Sequence, residues 1–307
     1  MKINRSFSII PLLLFISSFT ACAGKEIVSE ASLRAWELNQ SGIEHFTKGN
    51  LEQALSLFQE ALSICEGVDD QGGIALSLNN IGNVYLTLGQ LSEAEQYFHQ
   101  ALKINREIGS DKGESASLNN LGLVNQRQGV NEKALNFFSQ ALEIDRQSGR
   151  RRDIAIRLNN IGLVYKSMGD LIQAENHYQE AMKINQDIDD LRGFATNLNN
   201  LGGIYEAHGK WEKAKNSYKE ALEIDKKAEY PPGIAEDLNN LGRISELVGE
   251  NEEALQYYQR ALKVNESIGY QARTIEDLNN ISRIYRVLGN DSQAEFYLKQ
   301  AQKLLKQ

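Results

Sequence analysis

Proline is nearly missing from these 307 residues: there are three, alongside two cysteines, four histidines, three methionines and two tryptophans. So little proline excludes collagen-like or proline-rich character. Two cysteines cannot build a disulfide framework. The histidines, His45, His99, His177 and His208, are scattered without metal-ligand spacing such as HExxH, so no metal and no cofactor is expected. Basic charge is short as well. Against 41 Asp+Glu stand 33 Lys+Arg, giving a net charge of −8, which argues against nucleic-acid binding through a basic surface. Catalytic constellations are missing too. Gly202-Gly203 followed by Gly209-Lys210 has the wrong spacing for a phosphate loop, and Trp211 stands where Ser or Thr is needed. Glu93, Glu132 and Glu212 fall on faces expected to be solvated, so the chain reads as no enzyme.

Asparagine, by contrast, is plentiful. There are 27, and twelve of them fall in six Asn-Asn pairs. Leu-Asn-Asn begins at Leu78, Leu118, Leu158, Leu198, Leu238 and Leu278, always 40 residues apart, with a degenerate copy at Leu38-Asn39-Gln40. Self-similarity at a fixed period means a stacked array rather than two globular domains. Other columns keep the same frame. Gly82 and its equivalents lie four residues after the Leu, and Gly89 and its equivalents seven further on. Ala94, an aromatic at Phe98 and Ala101 follow in nearly every copy.

Leu78, Ile81, Gly82 and Tyr85 lie at i, i+3, i+4 and i+7, one stripe of an amphipathic helix. A glycine inside that stripe costs about 1 kcal/mol relative to alanine, so a close helix contact should offset it. Gly89 suits a left-handed cap just beyond the helix. Ala94, Phe98 and Ala101 make the stripe of a second, antiparallel helix. Each copy is therefore a helical hairpin.

These columns resemble the tetratricopeptide repeat (TPR): Leu-Gly, a Tyr, a Gly, an Ala, an aromatic and an Ala at the family's offsets, over residues 35–307. The usual unit is 34 residues long. The six extra here read as a longer second helix and a turn such as Ile108-Gly109-Ser110-Asp111-Lys112-Gly113. In length the unit is similar to repeats of LGN-type polarity scaffolds and kinesin light chains. The resemblance implies an all-α, right-handed α-solenoid of seven antiparallel hairpins, with first helices lining a concave side. Pro231-Pro232 is expected in an inter-repeat turn, and the polar changes Ser282 and Gln302 suit an end cap.

Upstream, Lys2 and Arg5 precede the apolar stretch Ile9–Ile16 and then small residues, which reads as a secretory signal over residues 1–21. The stretch is short of the ~20 residues that span a bilayer. Phe19-Thr20-Ala21-Cys22 resembles the bacterial lipobox, which implies lipidation of Cys22 and a membrane-anchored protein facing the periplasm or cell surface. Ala21-Cys22-Ala23 also reads as an ordinary cleavage site that would release a soluble protein. Residues 22–34 are then a tether. Cys65 is expected to be a packed thiol.

A helical projection at 100° per residue points Asn80 away from its own hairpin and into the concave surface, with Asn120, Asn160, Asn200, Asn240 and Asn280. A primary amide both donates and accepts, so it can pair with a peptide backbone whatever its sequence. With first helices about 10 Å apart and about 3.3 Å per extended residue, six amides suit some 15 ligand residues. Asn79, Asn119, Asn159 and Asn199 lie at the groove edge, where they bind a ligand or bond the adjacent repeat. Shared descent by duplication is the alternative account, but duplication alone would not spare the Asn80 column while Asn83 gives way to Leu123, Leu163, Gly203, Arg243 and Arg283. Drifting positions give the groove direction. Trp36, Ile43, Phe46, Leu76, Leu86, Leu123, Ile156 and Leu163 make an apolar first half, which the N-terminal segment could itself fill. Glu206, Glu236, Arg243, Glu246, Glu276, Arg283 and Arg286 make a mixed-charge second half, in which Arg283 could neutralise Glu276. Two functions follow: a tethered scaffold taking a peptide or protein in its groove, or an envelope assembly component working through convex or edge contacts.

Overall fold

The computed structural model describes residues 30–305. The signal, Cys22 and most of the tether lie outside them. Fourteen helices follow in hairpin pairs: α1 (Glu30–Thr47) and α2 (Leu51–Gly67), α3 (Gln71–Thr87) and α4 (Leu91–Glu107), α5 (Asp111–Arg127) and α6 (Asn131–Gln147), α7 (Arg151–Ser167) and α8 (Leu171–Asp187). Then come α9 (Leu191–Ala207) and α10 (Trp211–Lys227), α11 (Pro231–Leu247) and α12 (Asn251–Ser267), α13 (Gln271–Val287) and α14 (Asp291–Leu304).

From α2 onward a helix starts every 20 residues, and α2 to α13 are each 17 residues long. The extra residues of the 40-mer are therefore shared. Asp111, Lys112 and Gly113, expected in a turn, open α5, where the Ser110 hydroxyl accepts from the Gly113 N–H at 3.2 Å. Pro231 and Pro232 likewise occupy the first positions of α11 rather than the turn, where a missing N–H leaves nothing unbonded. Helix α1 begins at Glu30, inside the stretch read as tether. Every three-residue turn contains one residue in the left-handed region, such as Gly89 at φ 76°.

Within each of the first six hairpins, the glycine of the first helix lies under the aromatic ring of the second. A Cβ at Gly122 would sit 2.5 Å from Phe138 Cε1, closer than any carbon contact allows. The glycine thus permits the helix approach, and Phe138 is fully buried in return. Removing such a ring costs about 3–5 kcal/mol. The alanines Ala94, Ala134, Ala174, Ala214 and Ala254 are also fully buried. Apolar clusters bridge consecutive hairpins: Phe98 and Leu102 pack with Leu118, Leu121 and Val124 of the next copy. The core is a continuous stack, in which each repeat is completed by its neighbour.

Polar side chains also join the repeats. Where a second helix meets the next first helix, residues 12 apart form a buried pair. Asn105 Nδ2 donates to Ser117 Oγ at 3.2 Å, Arg157 Nε to Asp145 Oδ2 at 3.1 Å, and Asn185 Nδ2 to Asn197 Oδ1 at 2.7 Å. Asn265 Nδ2 donates to Asp277 Oδ2 at 2.7 Å. The fifth such junction places two carboxyl groups together, Asp225 and Asp237, 3% and 0% exposed. Asp237 Oδ1 accepts from Asn199 Nδ2, while Asp225 Oδ1 and Asp237 Oδ2 have no partner.

From α1 to α11 each first helix also packs on the next, whereas second helices stay farther apart. The stack therefore curves with the first helices inside. Between α11 and α13 that backbone packing weakens, and side-chain bonds span the two: Asn239 Nδ2 donates to Asp277 Oδ1 at 2.7 Å, and Arg283 pairs with Glu246. No helix among the described residues is long and apolar enough to cross a membrane.

Candidate functional site

The concave surface carries both asparagine columns, and the structure gives each a bond between repeats. Asn79 Nδ2 donates to Ala75 O at 3.2 Å and, one repeat on, to Ser117 Oγ at 2.9 Å. Asn80 Nδ2 reaches back to Asn39 Oδ1 at 2.8 Å. The same step recurs from Asn120 to Asn79 (3.4 Å), Asn160 to Asn119 (2.8 Å), Asn200 to Asn159 (2.7 Å) and Asn240 to Asn199 (3.3 Å). The sequence reading offered inter-repeat bonding for the Asn79 column; the Asn80 column also does it. These amides form a ladder along the stack, and one N–H of each side chain from Asn80 to Asn240 is committed to it.

The ladder ends at the last repeat. Asn280 Oδ1 accepts from Arg283 at 3.0 Å, and Asn239 Oδ1 is buried without a donor. Here α11 and α13, bridged by Asn239 Nδ2 donating to Asp277 Oδ1 at 2.7 Å, flank a cavity of about 340 Å³ lined by Glu236, Asn239, Arg243, Arg273 and Arg283, among others.

The apolar half is smaller than the sequence implies. Trp36, Ile43, Leu76 and Ile156 are exposed, the last two at 39% and 43%. Leu86 is buried, and Leu123 and Leu163 are half-buried against the core clusters beneath them.

In the charged half, ion pairs run between neighbouring first helices. Arg243 pairs with Glu206, and Arg283 with Glu246 rather than with Glu276. Glu276 is held by Arg273 at 2.9 Å. Each inner carboxylate also accepts from the buried tyrosine of its own hairpin, Tyr218 Oη to Glu206 at 3.0 Å and Tyr258 Oη to Glu246 at 3.2 Å. Burial lowers the pKa of Arg243 and of Arg283. Lys166, which sequence reasoning passed over, lies half-buried against Gly203. Burial, and then the charge of Arg243, lower its pKa. Comparing residues 37 apart in successive copies would have found it.

Two other residues have the surroundings expected of them. Cys65 is buried, and burial pushes its thiol up to about 11. His45 is a half-buried ring in the tyrosine column. No three His, Cys, Asp or Glu side chains among the described residues could together hold a metal ion.

Several solved structures share this architecture. A Rap protein complexed with competence and sporulation factor superposes with a TM-score of 0.68 at 22% identity, over 89% of this chain and 75% of its own. The Rap conjugation gene regulator of plasmid pLS20, in complex with the Phr* peptide, gives 0.67 at 17% identity over 94% and 80%. Aspartyl phosphate phosphatase F from Bacillus subtilis gives 0.69 at 18% over 90% and 71%. At these identities the likeness is one of fold. No curated protein matches the sequence closely enough to count as a relative. The family model described as tetratricopeptide repeat matches residues 33–107, 74–147, 113–187, 153–227 and 234–307, and a second model of the same description matches 199–268. With these matches spanning nearly all of the fourteen-helix stack, the chain belongs to the tetratricopeptide repeat family.

Proposed function

We propose that the protein is a binding scaffold that takes a peptide segment or a partner protein in its concave groove. The observation that carries this reading is the surface of the first helices: exposed Leu76 and Ile156 at one end, ion-paired Arg243 and Arg283 at the other. A peptide complex of a neighbour in fold supports it. The Asn pairs serve here chiefly as the groove's frame, since truncating them would loosen the stack as well as any ligand contact.

The test therefore alters exposed groove side chains. Leu76→Glu with Ile156→Glu should lower affinity for a peptide selected against the native protein by about tenfold or more, the worth of a few well-packed apolar contacts. Ile172→Glu, on α8 and 70% exposed, should leave affinity unchanged. The opposite pattern would favour the assembly reading, in which convex or edge contacts do the work.

We further propose that a lipid on Cys22 holds the scaffold at a membrane, on the strength of the lipobox-like Phe19-Thr20-Ala21-Cys22. Cys22→Ser should shift the protein from the detergent to the aqueous phase on partitioning; unchanged partitioning would remove the anchor from this account.

A further inference from the structure

Equivalent positions along the groove single out one side chain. Across neighbouring first helices, residues 37 apart meet: Glu206 with Arg243 and Glu246 with Arg283, both ion pairs. One repeat earlier the same two positions hold Lys166 and Gly203. The sign of the first charge is reversed and its partner is deleted. A Cβ on Gly203 would lie 2.7 Å from Lys166 Nζ and 3.9 Å from Tyr218 Oη, so the ammonium rests close over a residue without a side chain.

Five Lys or Arg residues among the described residues are withdrawn from solvent: Arg150, Arg157, Lys166, Lys215 and Arg243. Four of them contact a carboxylate. Lys166 does not, and Glu206, the acid nearest in the repeat frame, is already held by Arg243 and Tyr218. A half-buried cation beside a second cation is unfavourable unless a counter-charge is supplied. No side chain of the array occupies position 203, and Lys166 Nζ lies over it instead.

We propose that Lys166 and Gly203 form an anion subsite that takes a carboxylate of the bound peptide, either its C-terminus or an Asp or Glu side chain. This rests on the groove-binding reading above and adds to it a place and a charge. The ligand's carboxylate stands where the array elsewhere uses its own ion pair, with Tyr218 Oη and Arg243 close by.

The test uses the chain with isotope-labelled lysine and methyl groups and three probes: acetyl-Ala-Ala-Ala with a free C-terminus, acetyl-Ala-Asp-Ala-amide and acetyl-Ala-Ala-Ala-amide. At least one carboxylate-bearing probe should shift the Lys166 Cε signal saturably and bind about tenfold more tightly than the neutral probe, as a charge-assisted hydrogen bond would give. Which of the two does so tells terminus from side chain. Lys166→Gln should remove the difference. Gly203→Glu should remove it as well by supplying the carboxylate from the chain, with Lys166 Nζ moving off position 203 to pair with it. If all probes move the Leu163 and Ile156 methyl signals alike and Lys166 stays silent, the subsite is wrong and the groove reading stands. If no probe moves any groove signal, both fall.

Discussion

Two buried carboxyl groups side by side have one way to hydrogen-bond to each other, which is to keep a proton. Asp225 and Asp237 are in that position. At four of the five other equivalent junctions one member of the pair is an Asn or Arg that donates, and the first holds Cys65 and Ser77. Here neither side chain donates unless protonated, and one oxygen of each is unsatisfied. Burial, opposed by the Asn199 hydrogen bond and reinforced by the charges of Asp225 and Glu236, pushes Asp237 up to about 8. Burial and Glu236, offset in part by Arg192, push Asp225 up to about 6. An unfolded aspartate titrates near about 3.9. Below that value both states hold the proton and nothing is lost. As pH rises toward 8 the unfolded chain releases protons that the fold retains, so stability falls with rising pH. Asp277, pushed up to about 6 mainly by burial, adds to the slope in the same direction. Asp237→Asn supplies a permanent N–H to the pair, a role that Asn185 plays one repeat earlier by donating to Asn197 Oδ1. Urea unfolding of this variant should show a flatter loss of stability between pH 5 and 8 and a higher midpoint at pH 8. An unchanged slope would mean that the pair is not the proton-binding group. None of this is legible from the sequence, because 12-residue spacing between two helices means a contact only once the repeats are stacked.

At the scale of the element, the turns follow one rule: a left-handed residue every 20 positions. Glycine fills most of these places, but Asp69, Asp189 and Glu229 take them at φ 56°, 55° and 49°. Aspartate tolerates this region; glutamate, with its longer side chain, does not benefit from the local bonds that aspartate can make. A Gly at 229 removes a penalty of about 1–2 kcal/mol and adds about 0.5–1 kcal/mol of unfolded-chain entropy. Glu229→Gly should therefore stabilise the array by about 0.5–1 kcal/mol, seen as a higher urea midpoint. An unchanged or lower midpoint would show that the turn carries no strain. The hairpins themselves were readable, since Leu78, Ile81 and Tyr85 mark one helix, and Ala94, Phe98 and Ala101 the next. The division of the extra residues was not, because Asp111-Lys112-Gly113 has turn composition yet is drawn into α5 by the Ser110 cap. The inter-repeat bonds of the Asn80 column were hidden for a related reason. A projection of one helix places Asn80 outside its own hairpin but cannot show that Asn39 lies within 2.8 Å.

For the whole molecule, the decisive geometry is that first helices approach one another more closely than second helices do. This curvature sets apart an inner surface whose frame is an amide ladder and whose exposed residues change from apolar to charged along its length. The ladder and the ion pairs are internal bonds; what remains is exposed Leu76 and Ile156, Lys166 over Gly203 without a carboxylate, and the cavity between α11 and α13. The surface, rather than any single residue, is what the account assigns to binding. The most direct measurement is photo-crosslinking from the full-length protein in its native cells, with a benzoyl-phenylalanine placed at position 156 on the inner face or at position 172 on α8. The account predicts partner adducts from position 156 and none from position 172. Adducts from 172 with none from 156 would contradict it.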